Sequence, residues 1–336
     1  MGEEYGPLVR LWGIQPSQLP SASAGPEELT PFLTAILREA LPFIASLPST
    51  STTSQSTAST NSPWETHGVK TYPGSTSPVH LFERVVLAAE LAAVARAHNP
   101  PGVSPDKIRG PETWVARRSV HDDAAARGTA SWAEWRRCFK EGHAEAERDF
   151  TPTVLSTRVR RAWDCAGVRV RLGEDTWADW TLKVEESTHK LPAPLRNRLF
   201  PVVQATAAVE GRREFLVVQM ATTADDGAAG AGEGERGKSG TVLGAYTSVE
   251  RVREVPGTGA GTGAGTGDGG DVAAIEWVMG TVSDARGVLP AWMQKMAVPG
   301  QVAKDVDMFL SWIANERTKD KKDQAEGDGG REDNAA

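Results

Sequence analysis

The feature of this sequence that most constrains its fold is an amphipathic segment near the C-terminus, RGVLPAWMQKMAVPGQVAKDVDMFLSWIANER (residues 286–317). Its apolar residues recur at helical spacing on one side: Leu289, Met293 and Met296, then, after Pro299-Gly300, Val302, Val306, Phe309 and Ile313. A helix over residues 300–316 would be about 25 Å long, which is enough to cross a domain. Burying such side chains stabilises a fold by about 1.5–3 kcal/mol each, so this helix is predicted to be central to the structure.

A run of strand-like segments precedes this helix. The segments are rich in β-branched and aromatic residues, and they cover residues 179–187, 200–209, 213–221, 241–255 and 272–283. Upstream, residues 112–121 (ETWVARRSVH) alternate as a strand does, and residues 131–150 are predicted to be helical, with Ser131 and Glu134 forming a capping box. The order predicts an antiparallel meander closed by one long helix.

The N-terminal third has a different texture. Residues 27–46 and 78–97 show helical spacing, and Pro42 is expected to end or kink the first helix. Between them, residues 49–62 are nearly all Ser and Thr, which predicts a solvated linker. We therefore expect a helical N-terminal extension over residues 1–107, a main domain over residues 108–316 and a charged, disordered tail over residues 317–336.

Two low-complexity loops, residues 222–240 and 256–270, interrupt the strand run. The first contains GEGERGKS, from Gly232 to Ser239, which matches the phosphate-binding pattern G-x-x-x-x-G-K-[ST]. In a working P-loop the glycines follow a buried strand directly and Lys-Ser opens a helix. Here the preceding strand is predicted to end about ten residues earlier, and GTVLGAYTSVERV, which follows, favours a strand. We therefore expect no nucleotide at this loop. The second loop contains a G-x-G-x-x-G match, but it is also followed by a strand, whereas a dinucleotide-binding fingerprint needs a helix there.

Composition excludes several classes of function. With 37 Lys plus Arg against 44 Asp plus Glu, the net charge is −7, the wrong sign for holding a nucleic acid by charge. Cys138 and Cys165 are the two cysteines, too few for a disulfide framework and without metal-ligand spacing. We expect a cytoplasmic protein with no metal and no cofactor. We also expect no signal peptide, because the N-terminus carries acids where a signal peptide needs bases.

The order of elements resembles the START (StAR-related lipid-transfer) domain, and most closely a fungal family of uncharacterised START-like proteins. The residues that carry the resemblance are WVARRSVH (114–121), GTASW (128–132), HAEAERDFTP (143–152), HKLPAPLRNRLFPVV (189–203), FLVVQ (215–219), YTSVERV (246–252) and residues 283–313. The resemblance implies an α+β helix-grip fold (START/Bet v 1-like), in which a curved antiparallel sheet wraps a long C-terminal helix. It also implies an apolar tunnel that holds a lipid or another hydrophobic ligand, with the helix as lid and transient membrane contact.

Candidate ligand-binding residues follow from this expectation. The wall of the cavity is predicted to include Trp135, Ile275, Trp277, Met279, Leu289, Trp292, Met293, Met296 and Phe309. Possible polar contacts to a headgroup are Arg117, Arg118 and Glu185, and Pro299-Gly300 is a natural hinge. No residue is predicted to be catalytic.

Two alternatives remain open from the sequence. The first is an enzyme on the same scaffold, of cyclase or hydrolase type, for which His121 with Asp122 and Asp123, and His189 with Lys190, are the only obvious acid–base clusters. No G-x-S-x-G, H-E-x-x-H or C-x-x-C pattern accompanies them. The second is an interaction protein that uses the Ser/Thr linker and the charged tail as docking segments.

Overall fold

The computed structural model describes residues 6–49, 62–223, 241–257, 273–285 and 291–329, with backbone only for 291–298 and 320–329. The helices are α1 (Pro26–Ala45), α2 (Ala88–His98), α3 (Trp132–Trp135), α4 (His143–Phe150) and α5 (Ala291–Gly329). A π-helical segment, Arg136–Glu141, continues α3, and short 3-10 turns lie at Pro16–Gln18 and Pro105–Lys107. The strands are β1 (Glu65–Lys70), β2 (Val79–Val86), β3 (Glu112–Asp122), β4 (Val154–Trp163), β5 (Val170–Leu172), β6 (Asp175–His189), β7 (Arg198–Val209), β8 (Glu214–Ala221), β9 (Val242–Leu243), β10 (Ala245–Pro256) and β11 (Ala273–Asp284).

All of these strands belong to one sheet. Its order is β1-β2-β3-β11-β10-β8-β7-β6-β4, with antiparallel neighbours, while β5 pairs with β6 and β9 runs parallel to the start of β7. The protein is therefore an α+β molecule in which a large curved antiparallel sheet packs against a long C-terminal helix. This confirms the fold class predicted from the sequence.

Each face of the sheet carries its own apolar core, because successive side chains of a strand point to opposite faces. On β11, Val278 and Val282 belong to the core that contains α1, whereas Ile275 and Trp277 belong to the core that contains α5. α1 approaches β11 closely enough that a Cβ on Gly280 would lie 3.4 Å from the ring of Phe43. The two-sided burial places α5 on one face and the N-terminal segment on the other.

The predicted helix over residues 27–46 is confirmed as α1, and its buried side chains include Leu29, Leu33 and Ile36. Pro42 does not end it, because the helix continues to Ala45 and the amide of Ser46 still donates to the Pro42 carbonyl at 3.0 Å. A proline removes only its own amide donor and restricts the residue before it. One missing bond in the last turn is tolerated here.

The prediction of a single helix over residues 78–97 is wrong. Residues 79–86 form β2, and only residues from Ala88 onward are helical. In VHLFERVV the helical spacing competes with a β-branched strand pattern, and pairing with β3 from His80–Arg118 to Val86–Glu112 decides in favour of the strand. That pairing also means that the sheet extends N-terminal to residue 108, so it crosses the expected division between an extension and a main domain.

The helix predicted over residues 131–150 is present as α3, the π-helical segment and α4, and the Ser131 amide donates to the Glu134 carboxylate at 2.8 Å. The chain beyond residue 317, expected to be a disordered tail, continues as α5 to Gly329. Of the segments predicted to be loops or linkers, residues 50–61, 224–240 and 258–272 lie outside the described residues, and these include the Gly232 to Ser239 motif.

Candidate functional site

A cavity of about 250 Å³ lies between the sheet and the helices α4 and α5. The sheet contributes its floor from β3, β8, β10 and β11, and the ends of β6 and β7 reach it at one side. The residues that line it are Arg117, Phe139, His143, Glu147, Phe150, Thr151, Thr153, His189, Phe200, Gln219, Tyr246, Ser248, Glu250, Trp277, Met279, Thr281, Ser283, Gln301, Val302 and Asp305. The lining combines aromatic rings with an unusual number of buried polar groups.

The apolar side of the cavity is part of a larger aromatic cluster. The ring of Phe139 lies 4.8 Å from those of both Trp277 and Phe309, and Trp135 lies 4.8 Å from Trp277 and from Phe309. Aromatic pairs at such distances stabilise a core beyond their area burial. This cluster joins α3, α5 and β11 into a rigid wall behind the cavity.

The polar floor is organised around the carboxylate of Glu250 on β10. It accepts a hydrogen bond from the Trp277 indole at 2.6 Å, and it lies 3.3 Å from His143 Nε2 and 3.4 Å from Arg117 Nη2. The Arg117 guanidinium also stacks over the Trp277 ring, 3.5 Å from its centroid. Three donors from β3, α4 and β11 therefore converge on one buried carboxylate.

These contacts shift the pKa values of Glu250 and His143 in opposite directions. Burial by itself would raise the pKa of Glu250, but hydrogen bonding to His143 and the charges of His143 and Arg117 outweigh it, so the pKa lies below its ordinary value. Burial would lower the pKa of His143, but the bond to Glu250 and the nearby Glu147 outweigh it, so that pKa is raised. The pair is held as imidazolium and carboxylate.

Arg117 is nearly inaccessible, with 1% of the residue exposed, and two of its nitrogens, Nε and Nη1, have no hydrogen-bond partner within the described part of the chain. Leaving a buried donor unsatisfied costs about 1–3 kcal/mol, and more for a charged group. The guanidinium therefore offers unused donors beside the cavity, which a ligand oxygen could satisfy.

Asp305 projects into the cavity from α5. Burial, together with Glu147 and Glu250, raises its pKa to about 7, against the opposing effects of Arg117 and of the hydrogen bond with Gln301. It is consequently a carboxyl group that changes charge near neutral pH.

The structure brings together two of the predicted wall residues, Trp277 and Met279, at the cavity. Trp135, Ile275 and Phe309 are fully buried in the aromatic core behind it and are not among its lining residues. Leu289 and the side chains of Trp292, Met293 and Met296 lie outside the described residues.

Of the three residues predicted to contact a headgroup, only one lines the cavity. Arg117 lines the cavity, but Arg118 is on the opposite face of the sheet, because neighbouring residues of a strand alternate. There its guanidinium donates to the Pro48 carbonyl at 2.5 Å and lies 3.4 Å from Glu276. Glu185 is buried and pairs with Lys183 at 2.9 Å, outside the cavity lining.

The residues proposed for the enzyme alternative do not lie together at the cavity. His121 is buried and bonded to Ser119 at 2.8 Å, and burial together with Arg117 lowers its pKa to about 3. It does not line the cavity, whereas His189 does. The amide of Trp132 donates to Asp123 at 2.6 Å, as expected of a structural turn.

Sequence reasoning missed His143, Glu147, Glu250 and Asp305. A signal was present for two of them: Glu250 shares a strand face with the apolar Val252 on β10, and Asp305 lies in the apolar row of α5 between Val302 and Phe309. A charged residue at a position where the period requires an apolar one indicates a buried polar site.

The described residues contain no cluster of His, Cys, Asp and Glu that could hold a metal.

A family model described as a protein of unknown function (DUF3074) matches residues 114–313. The chain belongs to this family. The match spans most of the sheet and α5 up to Ile313, so the cavity lies within the segment that defines the family. A comparison with curated proteins gives no match.

Among solved structures, the chain is similar in fold to StAR-related lipid transfer domains, as the sequence predicted. Human StAR-related lipid transfer protein 5 has 11% identity and a TM-score of 0.48, over 87% of this chain and 99% of that one. Human STARD10 has 10% identity and a TM-score of 0.43, over 77% and 76%. A STAR-related lipid transfer protein from Xanthomonas axonopodis has 13% identity and a TM-score of 0.36, over 76% and 98%. Within the described residues, no helix is both long enough and apolar enough to cross a membrane.

Proposed function

We propose that this member of the DUF3074 family binds an amphipathic, hydrophobic ligand in the cavity beneath α5 and transfers it between membranes. The observation that carries the proposal is a cavity that combines an aromatic wall with the buried, incompletely bonded guanidinium of Arg117. A ligand site needs such a wall for affinity and a few converging polar groups for orientation.

The cavity size sets the affinity that the apolar wall can supply. At about 0.8 kcal/mol per buried methylene, eight carbons contribute about 6 kcal/mol, which corresponds to a dissociation constant of tens of micromolar. Small-molecule sites are usually about 300–1,000 Å³, so a volume of about 250 Å³ suits a short chain or one end of a longer ligand. A longer ligand would have to extend past the rim or displace α5.

We infer that α5 moves when a ligand enters, because Gln301, Val302 and Asp305 of this helix form one side of the cavity. Pro299 and Gly300 lie within α5, directly before these residues. Proline removes one backbone hydrogen bond from a helix and glycine adds backbone freedom, so the helix is weakest at this point. We place the hinge there.

The proposal includes transient contact with membranes and a reducing cytoplasmic location. Both cysteines, Cys138 and Cys165, are free and buried. An oxidising compartment is where disulfides form and persist, so free cysteines favour the reducing one.

Two measurements test the proposal. Mass spectrometry of an organic extract of the purified full chain should identify a bound amphiphile, and the protein should exchange that amphiphile between donor and acceptor vesicles. A protein that is free of such compounds, binds none and exchanges none would overturn the proposal.

A cavity-filling variant makes the test specific. Met279→Trp places an indole in the cavity and should weaken binding about tenfold or more, because the ligand would have to displace a packed ring. Val85→Trp is the matched control, since Val85 on β2 is 43% exposed and distant from the lining. Equal affinity in both variants would place the ligand elsewhere.

A second candidate function is catalysis on the bound ligand, which one observation favours. His143 and Asp305 both face the cavity, and the pKa of Asp305 is raised to about 7, the range suited to a general acid or base. Incubating the identified ligand with protein and following its mass tests this function. A ligand whose mass and chromatographic retention time both stay unchanged after this incubation would eliminate catalysis, since an isomerisation alters retention without altering mass.

A further inference from the structure

The charges around the cavity are unequally distributed between its two sides. On the sheet side, Glu250 is matched by Arg117 and His143. On the helix side, Glu147 of α4 and Asp305 of α5 also face the cavity. Burial lowers the pKa of His189, the other histidine in the lining, so it is neutral near pH 7. Three carboxyl groups therefore face one guanidinium and one imidazolium.

The two helix-side carboxyl groups have few protein partners and are partly open to solvent, since the Glu147 side chain is 28% exposed and Asp305 is half-buried. The nearest cationic atom to Glu147 is His143 Nδ1 at 3.8 Å, which is too far for a hydrogen bond, and that imidazole already contacts Glu250 through Nε2. Asp305 is hydrogen-bonded to Gln301 and forms no ion pair within the described part of the chain. Within the described residues, no cationic side chain lies within hydrogen-bonding distance of either carboxyl group.

An independent observation favours a polar ligand atom on the sheet side as well. Arg117 has two nitrogens without partners and is almost completely buried. Because the guanidinium only donates hydrogen bonds, it requires an acceptor, and an oxygen is the usual one. Around these charges the cavity is lined by the rings of Phe139, Phe150, Phe200 and Tyr246, which tolerate a cation at their faces.

We propose that the cavity selects an amphiphile whose head carries a primary ammonium group next to an oxygen, an amino alcohol in the simplest case. The ammonium lies between Glu147 and Asp305, and the oxygen accepts from Arg117. This inference rests on the proposed function and names the ligand class of the same site.

Ligand affinity should depend on pH through Asp305. The charged groups that act on Asp305 are Arg117, Glu147 and Glu250, and the titratable His143 and His189 line the same cavity. With a pKa of about 7, Asp305 is about one-tenth ionised at pH 6 and about nine-tenths ionised at pH 8. An ammonium ligand binds the ionised form better, so its affinity rises over this interval, and binding releases a proton near pH 7.

The experiment is calorimetric titration of the full chain with three probes of equal chain length: 2-amino-1-octanol, 1-octanol and octanoate. At pH 8 the amino alcohol should bind about tenfold more tightly than octanol, and this margin should shrink several-fold at pH 6. Octanol should bind equally at both pH values. Titrations in two buffers of different ionisation enthalpy should reveal proton release with the amino alcohol alone.

Single substitutions test which carboxyl groups bind the ammonium group. Asp305→Asn and Glu147→Gln should each reduce the advantage of the amino alcohol over octanol, both measured with the same variant, and Asp305→Asn should also remove the pH dependence of that advantage. Glu145→Gln, on the exposed side of α4, is the matched control and should behave as the unmodified protein.

The outcomes separate this inference from the proposed function. Octanol or octanoate binding at least as tightly as the amino alcohol at pH 8 would overturn the ligand class and leave the cavity as the binding site. An amino alcohol advantage that survives Asp305→Asn and Glu147→Gln would overturn the placement of the ammonium. Binding of none of the three probes would overturn both proposals.

Discussion

Replacing Glu250 by glutamine should destabilise the protein far more than replacing a surface carboxylate of the same strand. The substitution keeps the size and shape of the side chain but removes the charge on which Trp277, His143 and Arg117 converge. The indole can still donate to an amide oxygen. The guanidinium and the imidazole lose their counter-charge in a buried site.

The magnitude follows from burial. Breaking a buried ion pair by removing one partner costs about 3–5 kcal/mol, because the other charge remains buried and uncompensated. Glu250 and Arg117 are 5% and 1% exposed, so solvent screens neither. We expect a loss of about 3 kcal/mol in the free energy of unfolding, whereas Glu254→Gln at the exposed end of β10, where Glu254 pairs with Arg213, should cost less than about 1 kcal/mol.

The penalty should depend on pH in a defined direction. The pKa of His143 is raised above its ordinary 6.5, so its contribution is complete below pH 6.5 and is lost as pH rises through the raised value. The pKa of Glu250 is lowered from its ordinary 4.5, so its contribution is present above pH 4.5 and is lost as pH falls through the lowered value. The penalty of Glu250→Gln should therefore be largest between pH 4.5 and 6.5.

Urea unfolding followed by circular dichroism measures these free energies, and histidine NMR measures the pKa of His143, which should fall in the variant. The double variant Arg117→Met with Glu250→Gln should cost less than the sum of the single changes by about 1–3 kcal/mol, because it removes both charges. A Glu250→Gln penalty as small as that of Glu254→Gln, or strict additivity in the double variant, would refute the reasoning.

Three further predictions concern the wall, the opposite face and the hinge. Trp135→Ala should lower the free energy of unfolding by about 3–5 kcal/mol in denaturant titrations, because the buried ring contacts Trp277 and Phe309. Arg118→Gln should leave ligand affinity unchanged within about twofold, since Arg118 lies on the face away from the cavity; a large loss in calorimetry would contradict the register of β3. Pro299→Ala should restore a helical hydrogen bond and slow vesicle transfer while preserving equilibrium affinity, and equal transfer rates would place the hinge elsewhere.

Several parts of the fold were predictable because they depend on local periodicity. The alternation in residues 112–121 identified β3, and the apolar row from Val302 to Ile313 identified α5 as a central element. The capping box at Ser131 and Glu134 placed the start of α3. Each of these signals is contained in a few consecutive residues and is reinforced by burial.

Other parts were decided by partners distant in sequence. Residues 79–86 form β2 because they pair with the edge of β3. The helical spacing of that segment carries no information about this pairing. Arg117 and Arg118 were equivalent candidates until the register of β3 against β11 assigned them to opposite faces. Phe309 and Trp135 were apolar residues in the right elements, but packing placed them behind the cavity lining.

By itself the sequence determined the fold class, through the order of its elements and the family resemblance that this order carries. It also determined the central place of the C-terminal helix and the apolar character of its buried side, which follow from the period of the apolar residues. Only the tertiary structure decided which charged groups share a buried space. Glu250 and His143 are 107 residues apart, and their carboxylate and imidazole come within 3.3 Å only because β10 and α4 pack on the same side of the sheet. Electrostatic coupling depends on distance in space and on exclusion of water, neither of which is encoded in the spacing of residues along the chain.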